Sequence, residues 1–162
     1  MRAVAQRVLS ARVTVDGVET GAIGPGLLVY LGITHDDNLD DARWLARKLA
    51  DARLFEGAPS LEAGDAPRPF ERSLTEVGGS ALVVSQFTLY ADIRRGRRPS
   101  FTAAARPEAA APLVEAVMRE LEGLGVTVAG GRFGSHMLVE SVNDGPVTIL
   151  FDTADRERPR SV

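Results

Sequence analysis

Three polar side chains close a run of residues that otherwise has the composition of a buried strand. Ser85, Gln86 and Thr88 follow apolar residues and flank Phe87. If residues 80–89 form one strand, Ser85 and Phe87 lie on one face. Gln86 and Thr88 lie on the other, because successive side chains alternate. A hydroxyl or amide buried without a partner costs about 1–3 kcal/mol. These groups therefore either bond to neighbouring backbone, as at an ordinary strand end, or face a pocket.

A second group is basic and falls in a segment with no helical or strand periodicity. Four arginines lie within five residues, around a glycine: Arg94, Arg95, Gly96, Arg97 and Arg98. Guanidinium groups match phosphate oxygens, and the glycine lets the backbone approach a ligand closely. Phe101 follows nearby, and an aromatic ring can stack on a base. The segment is either a solvated basic loop or part of a site for nucleic acid.

The third group is Asn143, Asp144, Gly145 and Pro146. The first three residues suffice for a hairpin turn, and Pro146 removes a hydrogen-bond donor from the strand that follows. A proline at the start of an edge strand is tolerated, so the ordinary interpretation is structural. Only about one X-Pro bond in twenty is cis in folded proteins, and sequence physics alone does not select this one.

Several kinds of active site are excluded by composition. The chain has no cysteine, so thiolate nucleophiles and cysteine zinc sites are impossible. Its two histidines, His35 and His136, lie far apart in sequence, and we expect no metal and no cofactor. His136 is more typical of a surface or hydrogen-bonded residue than of a general base. A serine hydrolase that pairs Ser85 with His136 remains a rival interpretation.

Length and charge set the class of protein. The chain has 162 residues, of which 44% are hydrophobic and 25% charged, as in a single globular domain. A net charge of −3 argues against a protein that coats nucleic acid non-specifically, although a local basic patch is compatible with it. The longest apolar run, residues 26–33, is shorter than the roughly 20 residues of a membrane span. We expect a cytoplasmic protein that does not bind membranes.

The elements that must position these groups follow from periodicity and turn signals. Asp16 and Gly17 join strands at 13–15 and 18–20, and residues 27–31 form a buried strand. An amphipathic helix spans 39–55, and a second begins at Pro107 and ends near Gly123. Further strands are predicted at 80–89, 126–129, 137–142 and 147–151, the last two joined through residues 143–146. The pattern predicts an α+β domain over residues 1–153, in which two helices lie on a mainly antiparallel sheet or partial barrel, and a disordered polar tail over 154–162.

With these elements placed, the chain resembles the D-aminoacyl-tRNA deacylases from Met1 to about Thr153. Five motifs in the family's order carry the resemblance: Gln6-Arg7-Val8, Gly26-Leu27-Leu28-Val29 with Leu31-Gly32, Ser85-Gln86-Phe87-Thr88-Leu89, Arg98-Pro99-Ser100-Phe101, and Asn143-Asp144-Gly145-Pro146-Val147-Thr148. Two positions depart from the common pattern. Ser135 stands where alanine is usual, and Tyr90 where a small residue often follows the leucine.

The resemblance implies a cytoplasmic, metal-independent homodimeric esterase that removes D-amino acids and glycine from the 3′ end of mischarged tRNA. In that family the Gly-Pro bond is cis and enters the partner subunit's pocket. Gly145 and Pro146 are then expected to exclude an L side chain by steric clash. Arg7 is expected to brace this loop through a backbone carbonyl, and Met137 to contact the terminal adenosine or pack under the pocket.

The resemblance also assigns the floor of the pocket to Ser85, Gln86, Phe87 and Thr88. Backbone amides there, notably that of Phe87, are expected to stabilise the oxyanion. Thr88 is a candidate nucleophile or hydrogen-bond donor, but a threonine without an adjacent base is a poor nucleophile. We favour the alternative in which the 2′-hydroxyl of the terminal adenosine orients the water.

Arg95, Arg97 and Arg98 are then expected to bind tRNA. A rival from another class is a non-catalytic module that binds tRNA or the ribosome through residues 94–98. Such a module has no need of polar side chains at a strand end that faces a loop of its partner subunit. The polar strand end and the Gly-Pro segment therefore favour the enzyme.

Overall fold

Six strands and two helices follow one another in the computed structural model, which describes residues 1–57, 68–94 and 96–157. In chain order they are β1 (Arg2–Val15), β2 (Val18–Ile23), β3 (Gly26–Gly32), α1 (Leu39–Asp51), β4 (Ser80–Ser85), α2 (Pro107–Gly123), β5 (Thr127–Gly130) and β6 (Leu138–Asp152). Two short 3-10 turns follow β4 and β6, over Phe87–Tyr90 and Thr153–Glu157. The predicted α+β class with two helices is confirmed.

The long first strand organises the sheet. Along one edge β1 pairs antiparallel with β6, and its other edge is shared by β3 and then β2, also antiparallel. Ala5, for example, pairs with Val29 of β3 and Ile149 of β6. The turn between β1 and β2 is the predicted one, with positive φ at both Asp16 and Gly17. Among the strands described, β6 pairs with β1 alone, so its far edge is open.

The remaining pairings make the sheet mixed. β3 pairs parallel with β4, and β4 pairs parallel with β5. Parallel neighbours need a long crossover, and α1 and α2 lie in these two connections. In the order β2-β1-β3-β4-β5, the two end strands, β2 and β5, lie close to each other. A side chain added to Gly21 of β2 would lie only 2.6 Å from the carbonyl oxygen of Gly130 in β5. The sheet is therefore a nearly closed barrel.

Local sequence explains where α1 begins. The Asn38 side chain accepts from the N–H groups of Asp40 and Asp41, and the Asp41 side chain accepts from the Asn38 N–H, which forms a capping box. The predicted apolar stripe is fully buried: Ala42, Leu45, Ala46, Leu49 and Ala50. The helix ends at Asp51, not at 55 as predicted. It stops because Phe55 leaves to pair with Arg72.

Three other predictions from local pattern need correction or qualification. The strand predicted over 80–89 ends at Ser85. The strands predicted at 137–142 and 147–151 are two parts of β6, so residues 143–146 form a bulge and not a hairpin turn. The chain after 153 starts as a 3-10 turn in which Arg156 bonds to Asp41 of α1 at 3.0 Å, and residues 158–162 lie outside the described part. None of the described helices is long and apolar enough to cross a membrane.

Candidate active site

The polar segment after β4 is a turn held against the end of β3. The Gln86 N–H donates to the Leu31 carbonyl at 2.7 Å, and the Leu89 N–H donates back to the Gln86 carbonyl at 3.2 Å. A side chain on Gly32 would lie 3.0 Å from the Gln86 oxygen, so the glycine permits this approach. Leu89 makes the first hydrogen bond of the turn. The N–H groups of Phe87 and Thr88 precede that bond and are not used by it.

The turn also changes where the side chains point. Strand alternation, on which the predicted faces of Gln86, Phe87 and Thr88 rest, does not apply beyond Ser85. Gln86 and Thr88, which are predicted to share a face, do lie together: the Gln86 side-chain amide donates to the hydroxyl of Thr88. Phe87 is 56% exposed and meets Phe101 edge to face, with ring centroids 4.9 Å apart.

Residues 85–87 form the floor of a pocket of about 530 Å³. One wall consists of Phe101, the segment after it and the first turns of α2. The segment after β5 also lines the pocket, through Phe133, His136 and Met137 among others. Most of this lining is apolar or aromatic, with a few polar groups at the floor and rim. That composition is typical of a small-molecule site.

The pocket brings together only some of the predicted site residues. Ser85, Gln86, Phe87 and Met137 line it, whereas Arg7, Gly145 and Pro146 do not. Thr88 is exposed beside the floor. His136, expected to be an ordinary surface residue, is exposed and lines the pocket as Ser85 does. No hydrogen bond joins their side chains among the contacts of the described residues.

The Gly-Pro loop, residues 144–147, is a bulge in β6. Gln6 of β1 pairs with Thr148 and Val8 pairs with Asn143, so the four residues between stand opposite Arg7 alone. The Gly145–Pro146 peptide bond is cis, and Gly145 has a φ of +123°. The Asn143 side chain accepts from the Val147 N–H at 3.1 Å and donates to the Thr148 hydroxyl at 3.2 Å. Both Gly145 and Pro146 are exposed.

A single buried cation holds this loop from behind. The Arg7 side chain is only 8% exposed, and its Nε lies 3.3 Å from the Asp144 carbonyl oxygen and 2.9 Å from the Asp144 carboxylate. Its Nη1 donates to the Leu54 carbonyl at 2.8 Å. Leu54 offers that carbonyl because α1 has already ended at Asp51. The predicted contact between Arg7 and a backbone carbonyl of the loop is present, and its role toward substrate stays a prediction.

In the basic loop, residues 94–98, one carboxylate pairs with one of the arginines. Arg94 is bound through Nε and Nη2 to the two oxygens of Asp92, at 2.9 and 2.7 Å. These bonds, with one from the Arg94 N–H, lower the pKa of Asp92 to about 2. Arg97 and Arg98 are exposed and form no ion pair with the described residues. Arg95 lies outside the described part of the chain.

Metal ligands are not clustered. Within residues 1–57, 68–94 and 96–157, no group of three or more His, Cys, Asp or Glu side chains is arranged to hold a metal ion. His35 donates from Nε2 to the Thr102 carbonyl at 2.8 Å and so fastens the wall that contains Phe101.

Sequence reasoning missed several residues that shape the site. Phe133 and Leu54 are among them, because a lone aromatic in a loop and a helix that ends early have no local signature. Gly32 had a signal, since it belongs to the Leu31-Gly32 motif at the end of a buried strand.

Comparisons with known proteins agree with this architecture. The sequence model of a family described as D-Tyr-tRNA(Tyr) deacylase matches residues 4–152. A relative from Roseiflexus castenholzii named D-aminoacyl-tRNA deacylase is 58% identical over 161 residues, which are 99% of this chain and 98% of the relative. A relative of the same name from Chloroflexus aurantiacus is 54% identical over 160 residues, 99% of this chain and 95% of the relative.

A solved structure gives the same result for the fold. The protein titled c-Myc DNA Unwinding Element Binding Protein superposes with a TM-score of 0.82 at 35% identity, over 94% of this chain and 98% of that one. The match of the family extends over nearly all the elements described above, including β6 and its bulge. This chain therefore belongs to the D-Tyr-tRNA(Tyr) deacylase family.

Proposed function

We propose that this protein hydrolyses the ester bond between tRNA and a D-amino acid, or glycine, and releases free tRNA and the amino acid. Relatives at 54% and 58% identity carry the name D-aminoacyl-tRNA deacylase. One observation carries the proposal. A pocket whose floor is a turn of backbone amides occurs in the same chain as an exposed Gly145–Pro146 loop.

The chemistry at the floor requires donors where negative charge develops. The Phe87 N–H precedes the first hydrogen bond of its turn and is free to donate to the oxygen of the tetrahedral intermediate. The Thr88 hydroxyl is bonded to the Gln86 amide, which is not a base. Thr88 therefore acts as a hydrogen-bond donor, and the 2′-hydroxyl of the terminal adenosine orients the attacking water. The step uses no metal or cofactor.

The Gly-Pro loop supplies selectivity for the D enantiomer. Gly145 has no side chain and Pro146 has a fixed ring, so two carbonyl groups can approach the α-carbon of the substrate closely. An L side chain then points at the loop and clashes, whereas the hydrogen of a D residue fits. Ser85 and Gln86 complete the floor, and Met137 contacts the adenosine from the pocket wall.

We assign the loop to the pocket of a second copy of the chain. Gly145 and Pro146 do not line the pocket of their own subunit. We propose a homodimer in which each loop enters the partner's pocket. The open edge of β6 supports this arrangement, as do exposed apolar side chains along that strand, namely Leu138, Val142 and Leu150.

Binding of tRNA is assigned to the basic loop. Arg97 and Arg98, with Arg95, meet phosphates of the tRNA end, while Arg94 is neutralised by Asp92. We place the enzyme in the cytoplasm, where charged tRNA is used. Residues 1–153 form its catalytic domain, and the polar tail from 154 begins in the 3-10 turn that Arg156 joins to Asp41 of α1.

The direct test is a chiral deacylation assay. Purified protein in EDTA is incubated separately with D-Tyr-tRNA and L-Tyr-tRNA, and release of the amino acid is followed over time. We expect hydrolysis of the D substrate to be at least 100-fold faster. Equal rates on both enantiomers, or none on either, would refute the function.

The role of the Phe87 amide is tested by two substitutions at one position. Phe87→Pro removes both the N–H and the ring, whereas Phe87→Ala removes only the ring. Loss of one oxyanion donor lowers kcat about 100- to 1000-fold, so the proline variant should fall that far below the alanine variant. Similar kcat values in the two variants would contradict the assignment.

The dimeric site is tested by complementation. Phe87→Pro and Gly145→Ala chains are co-expressed with different tags, and the heterodimer is purified through both. If the loop works in the partner's pocket, one site of the heterodimer has both lesions and the other has none. We expect about half the wild-type activity per dimer. If the loop works in its own subunit, the heterodimer will be as inactive as its parents.

The basic loop is tested through salt dependence. Arg97→Ala with Arg98→Ala should weaken tRNA binding, and the slope of log K against log salt should fall in magnitude by roughly 0.7–0.9 for each phosphate that is no longer neutralised. Arg94→Ala is the matched control and should change the slope much less, because Asp92 already pairs with that charge. An unchanged slope in the double variant would refute the patch.

A further inference from the structure

Arg2 joins three parts of the molecule at the far end of the turn that carries Phe87. Its Nε donates to the Asp152 carboxylate in β6 at 2.8 Å. Its Nη1 donates to the Leu89 carbonyl at 3.3 Å, and its guanidinium lies over the Tyr90 ring, 4.7 Å from the centroid. Leu89 and Tyr90 are the last two residues of the 3-10 turn Phe87–Tyr90. One side chain therefore links β1 and β6 to the end of the turn.

From this geometry we propose that Arg2 and Tyr90 are positioning residues, which form a clamp that holds the amides of Phe87 and Thr88 in place at the floor of the pocket. The inference rests on the proposed function and deepens it. Neither residue lines the pocket, so neither is expected to touch substrate.

The other contacts of the turn fix its start to the rest of the molecule but not its end. The start of the turn is fixed to β3 by the bond from Gln86 to Leu31. In its middle, the Ala91 N–H donates to the Thr88 carbonyl and the Gln86 amide donates to the Thr88 hydroxyl, but these bonds join residues of the same segment. The edge contact between Phe87 and Phe101 links the middle to another part of the chain. A short turn fixed at one end can pivot. Donors for a transition state lose much of their effect when they are misplaced by about 1 Å. A second fixed point at Leu89 and Tyr90 prevents that pivot.

The clamp is built to stay assembled at neutral pH. The bond to Asp152 raises the pKa of Arg2. Burial acts to raise the pKa of Asp152, but bonds from Arg2 and from the Ala154 N–H leave it below its usual value. Burial, and then the charges of Asp37 and Asp152, raise the pKa of Tyr90, so its phenol stays neutral. Planar guanidinium over a neutral ring is a favourable cation–π arrangement.

The chain offers a matched control on the same pair of strands. Arg12 of β1 bonds to Glu140 of β6 at 2.7 Å, as Arg2 bonds to Asp152, but it has no contact with the turn. Arg2→Met and Arg12→Met each remove one arginine that bridges β1 and β6. Tyr90→Phe keeps the ring and Tyr90→Ala removes it. All four variants are made in the full chain and checked by size exclusion and thermal melting.

The kinetic readout is kcat and KM for D-Tyr-tRNA. Arg2→Met and Tyr90→Ala should lower kcat about tenfold and leave KM within twofold, since the RNA contacts are elsewhere. Tyr90→Phe and Arg12→Met should keep kcat within twofold of wild type. A wild-type kcat in Arg2→Met or Tyr90→Ala would overturn the inference, as would an equal loss in Arg12→Met. If Arg2→Met does not fold, the two Tyr90 variants decide.

A second readout does not depend on activity. The exchange rate of the Leu89 amide hydrogen, measured by NMR, reports the hydrogen bond that closes the turn. It should rise about tenfold in Arg2→Met and remain unchanged in Arg12→Met. Equal exchange in both variants would overturn the clamp even if the proposed function holds. A wild type that hydrolyses no D-Tyr-tRNA would instead refute the proposed function and leave exchange to decide the clamp.

Discussion

The pocket floor and the Gly-Pro loop are held in place by opposite means. The floor rests on many modest contacts, including a backbone bond to Leu31, the close approach to Gly32 and the ring of Phe101. Apart from the bonds of Asn143 within β6, the loop is anchored by one buried arginine, Arg7, which binds both Asp144 and the Leu54 carbonyl. The floor faces a cavity in its own chain, and the loop projects its tip into solvent.

The difference shows that the Gly-Pro loop must be rigid although no described residue of its own chain covers its tip. An exposed loop that excludes a substrate by steric clash must resist displacement by that substrate. Its anchor, Arg7, is therefore buried behind it. A floor enclosed by walls shares its support among several neighbours. Loss of one supporting contact should therefore cost the loop more than it costs the floor.

The largest effect is expected from Arg7→Met. It removes a charged donor from the Leu54 carbonyl and leaves the Asp144 carboxylate without its partner. Because the Asp144 side chain is 40% exposed, the cost stays below that of a fully buried pair. We expect a loss of about 3 kcal/mol in the free energy of unfolding and a fall of about 6–12 °C in Tm, measured by calorimetry.

The same variant should lose deacylase activity at temperatures where it remains folded. Arg12→Met serves as its control, since Arg12 is an exposed arginine of the same strand, and it should leave Tm unchanged. A folded Arg7→Met protein with full activity and chiral selectivity would contradict the inference that the loop, unlike the floor, depends on one anchor.

The next largest effect is expected from Gly145→Ala. At a φ of +123° an added side chain would lie 2.7 Å from Val147 Cγ2 and 2.9 Å from the Val147 nitrogen. Strain of this kind costs about 1–3 kcal/mol and shifts the tip of the loop. We expect D-Tyr-tRNA hydrolysis to fall more than tenfold and the D-to-L ratio to fall with it.

Gly17→Ala separates strain from function. Gly17 also has a positive φ, +78°, but an added side chain would meet nothing within 4 Å. It should lower Tm slightly and leave the D-to-L ratio intact. A loss of selectivity in Gly17→Ala as large as in Gly145→Ala would mean that general destabilisation, and not the loop, controls enantiomer choice.

The sequence predicted the parts of this contrast that depend on local chemistry. Positive φ at Asp16 and Gly17 follows from an Asp-Gly pair between two strands, and Asn38 has the chemistry of a helix cap. Ser85 and Gln86 stand out because polar groups interrupt an apolar run. In each case neighbours in sequence decide the outcome.

Where partners distant in sequence decide, local pattern led to the wrong element. Alternation continues through residues 85–88, but β3, the strand that pairs with this end of β4, ends at Gly32, and the chain turns after Gln86. Residues 143–146 have the chemistry of a hairpin turn. They form a bulge because β1 pairs with β6 on both sides of them. The family resemblance identified the Gly-Pro segment, whereas its anchoring at Leu54 needed the folded chain.

On the floor we expect Phe101→Ala to have a modest effect. The edge contact with Phe87 is worth about 1 kcal/mol beyond the area it buries. We expect kcat/KM for D-Tyr-tRNA to fall about two- to fivefold, because other contacts keep the turn in place. Phe70→Ala, at an exposed phenylalanine outside the pocket, is the control and should change nothing. A loss above 100-fold in Phe101→Ala would show that the floor also depends on one anchor.

The smallest effect is expected from His136→Ala, and this variant distinguishes two catalytic mechanisms. His136 and Ser85 line the same pocket, which is what a serine hydrolase would require. A general base contributes about 100- to 10,000-fold to rate, so that mechanism predicts a collapse of kcat. If instead the backbone amides and the 2′-hydroxyl of the substrate carry the reaction, kcat should stay within about twofold of wild type. KM is the parameter free to change, since the ring forms part of the rim. Single-turnover hydrolysis of D-Tyr-tRNA measures the chemical step directly. A 100-fold loss in that rate would contradict the mechanism based on backbone amides and support one that uses a Ser85–His136 pair.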